Sequence, residues 1–159
     1  MQIPAYLVIG TPTSGRRGVV WDAVERGSME GEFSVVFVSA GEKPSDFDAA
    51  IAGADNAGIV KYSDAADAAE KLGALDPRKI SRVFYLADST KSLADEIESF
   101  KGLASGGKIR LARIWSVVDC SMAENSRSRP PSMLTCFRIS PTACCCRGVP
   151  ARPAGASRS

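Results

Sequence analysis

The residues of this chain with the clearest chemical meaning are Gly10-Thr11-Pro12-Thr13-Ser14-Gly15-Arg16-Arg17. Gly10 and Gly15 have the spacing of a phosphate-binding loop, after an apolar run and before a helix. Glycines at those points let backbone N–H groups wrap a phosphate, and the helix adds the positive end of its dipole. In the working pattern G-x-x-x-x-G-K-[ST] the lysine reaches the terminal phosphates and the hydroxyl holds Mg²⁺. Here Arg16 stands for the lysine and Arg17 for the hydroxyl. Arg16 retains a charge that can pair with phosphate, although its planar fork does not reproduce a compact ammonium. Arg17 offers no oxygen to magnesium, and Pro12 removes one N–H donor. Gly10, Thr13, Ser14, Gly15, Arg16 and Arg17 therefore read as a vestigial nucleotide-binding set, without a catalytic residue or a metal ligand. The plainer reading is a glycine-rich turn with solvated arginines.

The elements that must position this loop alternate. Ala5–Ile9, Phe33–Val38, Gly58–Tyr62, Arg82–Ala87 and Leu111–Val118 are short apolar or β-branched runs and predict strands. Between them lie helical stretches. One runs from Arg17 to Arg26, with Val20, Ala23, Val24 and Gly27 on one face. A second ends at Ala52 and is capped by Ser45 or Asp46. A third is capped by Ser63, carries Ala65, Ala68, Ala69 and Leu72 at helical spacing, and ends near Gly73. A fourth opens at Ser89 with Leu93, Ile97, Phe100 and Ala104 in a stripe. Strands alternating with helices predict an α/β domain of three layers with a mainly parallel sheet, covered on both faces. In such sheets ligands collect at the carboxyl ends of the strands. The loop after Ile9, Asp88 after the fourth strand and Asp119 after the fifth all fall there. The plainer readings are a helix-cap neighbour for Asp88 and a loop carboxylate for Asp119.

Composition divides the chain. Residues 1–124 carry 14 of the 20 bases against all 18 acids, a net charge of −4. Residues 125–159 carry six arginines and no acid, with four of the five cysteines and five of the nine prolines. The basic balance therefore comes from the tail and says little about partners of the folded part. No apolar run is long enough to cross a bilayer and no signal pattern opens the chain, so the expected location is cytoplasmic, without a membrane partner. The tail arginines lack aromatic platforms and argue against nucleic acid. Cys144, Cys145 and Cys146 are adjacent and do not suit one metal ion, nor is a second ligand pair correctly spaced.

The order of elements and the glycine loop resemble the nucleotide-binding domain of CobW-type P-loop GTPases, proposed metal chaperones. The resemblance covers residues 4–122 and includes the run Val117-Val118-Asp119. It implies GTP and Mg²⁺ as ligands, with Asp88 and Asp119 joining the loop in the nucleotide set. The family's G-C-x-C-C metal motif would match Gly58-Ile59-Val60-Lys61-Tyr62, which keeps the glycine alone. Its E-T-S-G segment would match Ala87-Asp88-Ser89-Thr90, where Ser89 survives and Asp88 partly replaces the glutamate. The resemblance thus implies a degenerate domain of residues 1–122, without GTPase or metal-chaperone activity and truncated before the guanine-recognition motif. Two alternatives stay open: a nucleotide-binding protein with weak phosphate affinity, and an interaction module on the same fold. Loss of further strands would leave a sheet edge open to dimer pairing.

Residues 123–159 read as a disordered extension or as a shifted reading frame. Three successive cysteine codons, read one base earlier, encode Leu-Leu. The same shift across 139–146 permits Phe-Ala-Asp-Cys-Val-Leu-Leu, an apolar strand like the one preceding the family's guanine motif.

Overall fold

The computed structural model describes residues 1–118. Asp119, the expected boundary at 122 and both readings of the tail lie outside the described residues. The described chain runs β1 (Ile3–Gly10), α1 (Arg16–Met29), β2 (Ser34–Ser39), α2 (Asp46–Ala52), β3 (Ala57–Tyr62), α3 (Ala65–Gly73), β4 (Arg82–Leu86), α4 (Leu93–Ser105) and β5 (Ile109–Val117). All strand pairs are parallel, in the order β3-β2-β4-β1-β5. Among the described residues no helix is long and apolar enough to cross a membrane.

Side chains that alternate along each strand supply two separate cores. In β2, Val35 and Phe37 enter one cluster and Val36 and Val38 the other. The first cluster is covered by Ala68 and Leu72 of α3 and by Phe100 and Leu103 of α4. The second is covered by Val20 and Val24 of α1 and by Ile51 of α2. Strands buried on both faces read as continuous apolar runs, which is why 33–38 has no polar alternation. Each large apolar side chain so buried contributes about 1.5–3 kcal/mol before the entropy of ordering it is subtracted.

The topology explains which helix lies on which face. The chain steps from β1 past β4 to β2 and on to β3, then reverses past β2 to β4 and past β1 to β5. Parallel crossovers of one hand place their helices on opposite faces when the direction reverses. The loops after β1 and β2 therefore leave toward α1 and α2, and the loop after β4 leaves the other way, toward α4. These loops diverge at the carboxyl edge, the switch point of an open parallel sheet, where ligands bind in such folds.

Several boundaries differ from the sequence expectation, each for a local reason. The third helix is capped by Asp64, not Ser63: the Asp64 carboxylate accepts from the Asp67 N–H at 2.8 Å, while Asp67 reaches back to the Ser63 N–H at 2.9 Å. The fourth helix starts at Leu93, not Ser89. Residues 88–91 are held in a turn, in which Asp88 accepts from the Thr90 N–H and the Lys91 N–H bonds the Asp88 carbonyl. Leu93 is 51% exposed, and Glu96 takes a buried place on the helix face that packs on the sheet. In the third helix Ala65 and Ala69 face solvent, leaving Ala68 and Leu72 as the apolar contact. The second helix follows expectation: Ser45 is its N-cap and forms a capping box with Asp48.

Candidate functional site: a closed ion-pair cluster at the switch point

The loop between β1 and α1 is folded on itself. The Ser14 N–H and hydroxyl both donate to the Thr11 carbonyl, at 3.1 and 2.8 Å. Thr13 and Gly15 are exposed, and Ser14 is buried. Gly15 is left-handed, at φ +76°, and forms the N-cap of α1 without a side-chain bond to the helix. Gly10 is required by close approach: a Cβ there would stand 2.6 Å from both the Val117 carbonyl oxygen and the Ser14 Oγ. The first N–H groups of α1 have no intrahelical acceptor, as at any helix start.

The arginines are not solvated. The Arg16 side chain is 3% exposed and reaches from α1 to the end of β4. Its Nη1 donates to the Ala87 carbonyl at 2.5 Å and its Nη2 to Glu42 Oε1 at 2.7 Å. Arg17, with a side chain 12% exposed, donates to the Lys43 carbonyl and contacts Glu42 Oε2 at 3.3 Å and Asp48 Oδ1 at 3.2 Å. The Arg17–Asp48 pair lacks hydrogen-bond alignment, so it is a Coulomb contact between partly buried charges. Burial, carboxylate partners and backbone acceptors thus consume the charge that the sequence alone leaves facing water.

Glu42 is the hub, and the sequence reading missed it. Its Oε1 also accepts from the Ser89 N–H at 2.8 Å and the Ser89 hydroxyl at 2.9 Å. Burial works to raise its pKa, but the Arg16 hydrogen bond and charge, with the Ser89 donors, outweigh it and hold the carboxyl below its ordinary value of 4.5. The signal that could have found it is its place: an acid next to Gly41 in the loop after β2, at the same sheet edge as the arginines.

Asp88 lies at that edge too, but turns away from the arginines. Its Oδ2 accepts from the Ser39 hydroxyl at 2.7 Å and its Oδ1 from the Thr90 N–H and hydroxyl at 2.9 and 2.6 Å; Lys91 Nζ is 3.7 Å away. Burial opposes its ionisation, and the Thr90 and Ser39 hydrogen bonds with the Lys91 charge more than compensate, keeping its pKa below 3.8. Both oxygens are committed within the protein. Glu96, the second residue missed, accepts from the Asp88 N–H at 2.9 Å. It places a second carboxylate beside the end of β4 and uses it to tie α4 to the sheet. The stretch 57–62 is strand β3, and Tyr62 ends it in the core, stacked on Tyr85 and donating to the Leu86 carbonyl at 2.8 Å.

The structure therefore brings together Gly10, Ser14, Arg16, Glu42, Ser89 and, by way of Glu42, Arg17. It does not join Asp88 to that cluster by any ion pair, and Thr13 projects from the loop surface. Among the described residues no group of three or more His, Cys, Asp or Glu side chains could hold a metal ion. No protein-family model matches this chain, and neither does any curated protein or solved structure.

Proposed function

We propose that residues 1–118 are a degenerate P-loop domain of the CobW type that keeps the frame of the phosphate loop and does not hydrolyse GTP. The observation that carries this reading is the Arg16–Glu42 pair, 2.7 Å long and with side chains 3% and 8% exposed. A loop poised for a nucleotide needs free cationic charge and a metal-holding hydroxyl at these two positions. Here the charge is neutralised from within the protein, and residue 17 has no hydroxyl. The parallel sheet and the loop's position at its switch point support descent from a nucleotide-binding fold. The missing chemistry supports a non-catalytic role.

The test is a titration of the full chain with fluorescent GTP and Mg²⁺, with phosphate release followed in parallel. The expected result is no saturation at a Kd tighter than about 100 µM, equivalent to about −5.5 kcal/mol, and no turnover. Tighter binding that disappears in Arg16→Met would overturn the reading.

A further inference from the structure

Four donors on three residues converge on one carboxylate. Arg16 Nη2, the Ser89 N–H and the Ser89 hydroxyl all reach Glu42 Oε1 within 2.9 Å, and Arg17 Nη2 reaches Oε2 at 3.3 Å. Two guanidinium groups, a backbone N–H and a hydroxyl arranged on one anion are the components of an oxyanion-binding site. The anion is supplied by the chain itself, from the loop between β2 and α2. That loop is anchored on both sides of the glutamate: Gly41 N–H donates to Ser39 Oγ at 3.2 Å, and Ser45 caps α2.

We propose that this cluster is a binding site for a phosphate group, held closed by the Glu42 carboxylate as a tethered stand-in for that ligand. Three features carry the inference. First, the acceptor geometry is that of a bound oxyanion and not of a surface pair: Arg16 is almost fully buried, and one oxygen takes three donors. Second, the cluster carries two guanidinium charges. Glu42 faces both of them, and Asp48 faces Arg17 alone. Removing Glu42 would leave Arg16 with the Ala87 carbonyl as its remaining partner and the two Ser89 donors without theirs. A buried cation and two unfilled donors are costly to leave empty, and a phosphate oxygen supplies both the charge and the acceptor that they lack. Third, the site lies at the switch point beside the start of α1, where the helix dipole favours negative charge. The lowered pKa of Glu42 accords with a carboxylate held by surrounding donors.

The inference deepens the phosphate-loop reading of residues 10–17 and can fail independently of it. The probe is inorganic phosphate, with GTP as a second arm and chloride at equal ionic strength as the control, on the full chain. Glu42→Ala is expected to bind phosphate at least tenfold more tightly than the wild type. It should also show a phosphate-specific rise in melting temperature of roughly 3 °C or more at 50 mM. The double variant Arg16→Met/Glu42→Ala is expected to lose both effects. Should Glu42→Ala fail to fold, Glu42→Ser removes the carboxylate and vacates its place while keeping a small polar side chain, and is expected to gain phosphate affinity over the wild type. A phosphate response no greater than the chloride response in the variant that folds would overturn the proposal. So would an equal phosphate response in the double variant. GTP binding by the wild type would instead sink the functional reading above. A gain for GTP in Glu42→Ala that matches the phosphate gain would assign recognition to the phosphate group alone.

Discussion

The Arg16–Glu42 pair makes an asymmetric prediction. Glu42→Ala removes the acceptor for four contacts and leaves Arg16 buried with only the Ala87 carbonyl to answer it. Losing one partner of a buried pair costs about 3–5 kcal/mol, because the remaining charge is stranded. Arg16→Met keeps most of the buried aliphatic volume, and Glu42 retains Ser89 and Arg17. That loss is closer to two charge-assisted hydrogen bonds partly compensated by packing, about 2 kcal/mol. In the double variant neither charge is stranded, so its cost should be near that of Glu42→Ala alone, with a coupling of about 2 kcal/mol. Urea unfolding of the four proteins measures this cycle. With a slope of about 1–3 kcal/mol per molar for a small domain, Glu42→Ala should lower the midpoint by about 2 M. If Arg16→Met proves as costly as Glu42→Ala, or if the two losses add, no charge is stranded by the single change and the reasoning fails.

Three further predictions follow from separate features. Both Glu42 and Asp88 have lowered pKa values, so their stabilising share is complete above their ordinary values of 4.5 and 3.8 and is lost as pH falls through the lower folded values. Urea midpoints taken from about pH 7 down to pH 3 should therefore fall, and Glu42→Gln should flatten that fall; an unchanged slope would remove Glu42 from the account. Gly10→Ala should destabilise the domain by about 2–3 kcal/mol, because its Cβ meets a backbone carbonyl at 2.6 Å. Gly15→Ala, with open space but φ +76°, should cost only about 1–2 kcal/mol, and thermal melts that reverse this order would refute the close-packing argument. Phe100→Ala should cost about 3–5 kcal/mol through the cavity left against Tyr85, and a loss below about 1 kcal/mol by urea unfolding would mean that the core collapses around it.

The architecture was legible because its signal is repeated. Five apolar runs separated by amphipathic stretches specify a parallel sheet covered on both faces, and small errors at the ends do not change that. Boundary residues were less legible where two polar residues compete for one role. Ser63 and Asp64 are adjacent, and the aspartate becomes the cap because Asp67 engages Ser63 from the other side. Strand β5 has lost its simple alternation: a register shift in its pairing with β1 accompanies Leu111 and Ile114 at 45% and 47% exposure. For the site, the sequence located the arginines but not their environment. Burial of a charge depends on what stands opposite, and Glu42 is 26 residues from Arg16 along the chain. No local pattern joins them; only the step from β1 past β4 to β2 does.

That step also separates two properties which the motif runs together. Gly10 has a cause independent of any ligand, because it must admit the Val117 carbonyl and the Ser14 hydroxyl at its side. The chain needs Gly10 to keep β5 against β1 whether or not a phosphate binds. The cationic positions carry no such requirement from the backbone, and there the residues depart from the working pattern. Two largely buried arginines without a counter-charge would be costly, and an acid from the neighbouring loop removes that cost. Gly10 therefore testifies to the packing of the sheet edge, and Gly15 to the left-handed turn that opens α1. The Arg16–Glu42–Arg17 cluster, with Ser89 closing it, is instead held by charge and hydrogen bonding, and it is there that the proposed phosphate site stands or falls.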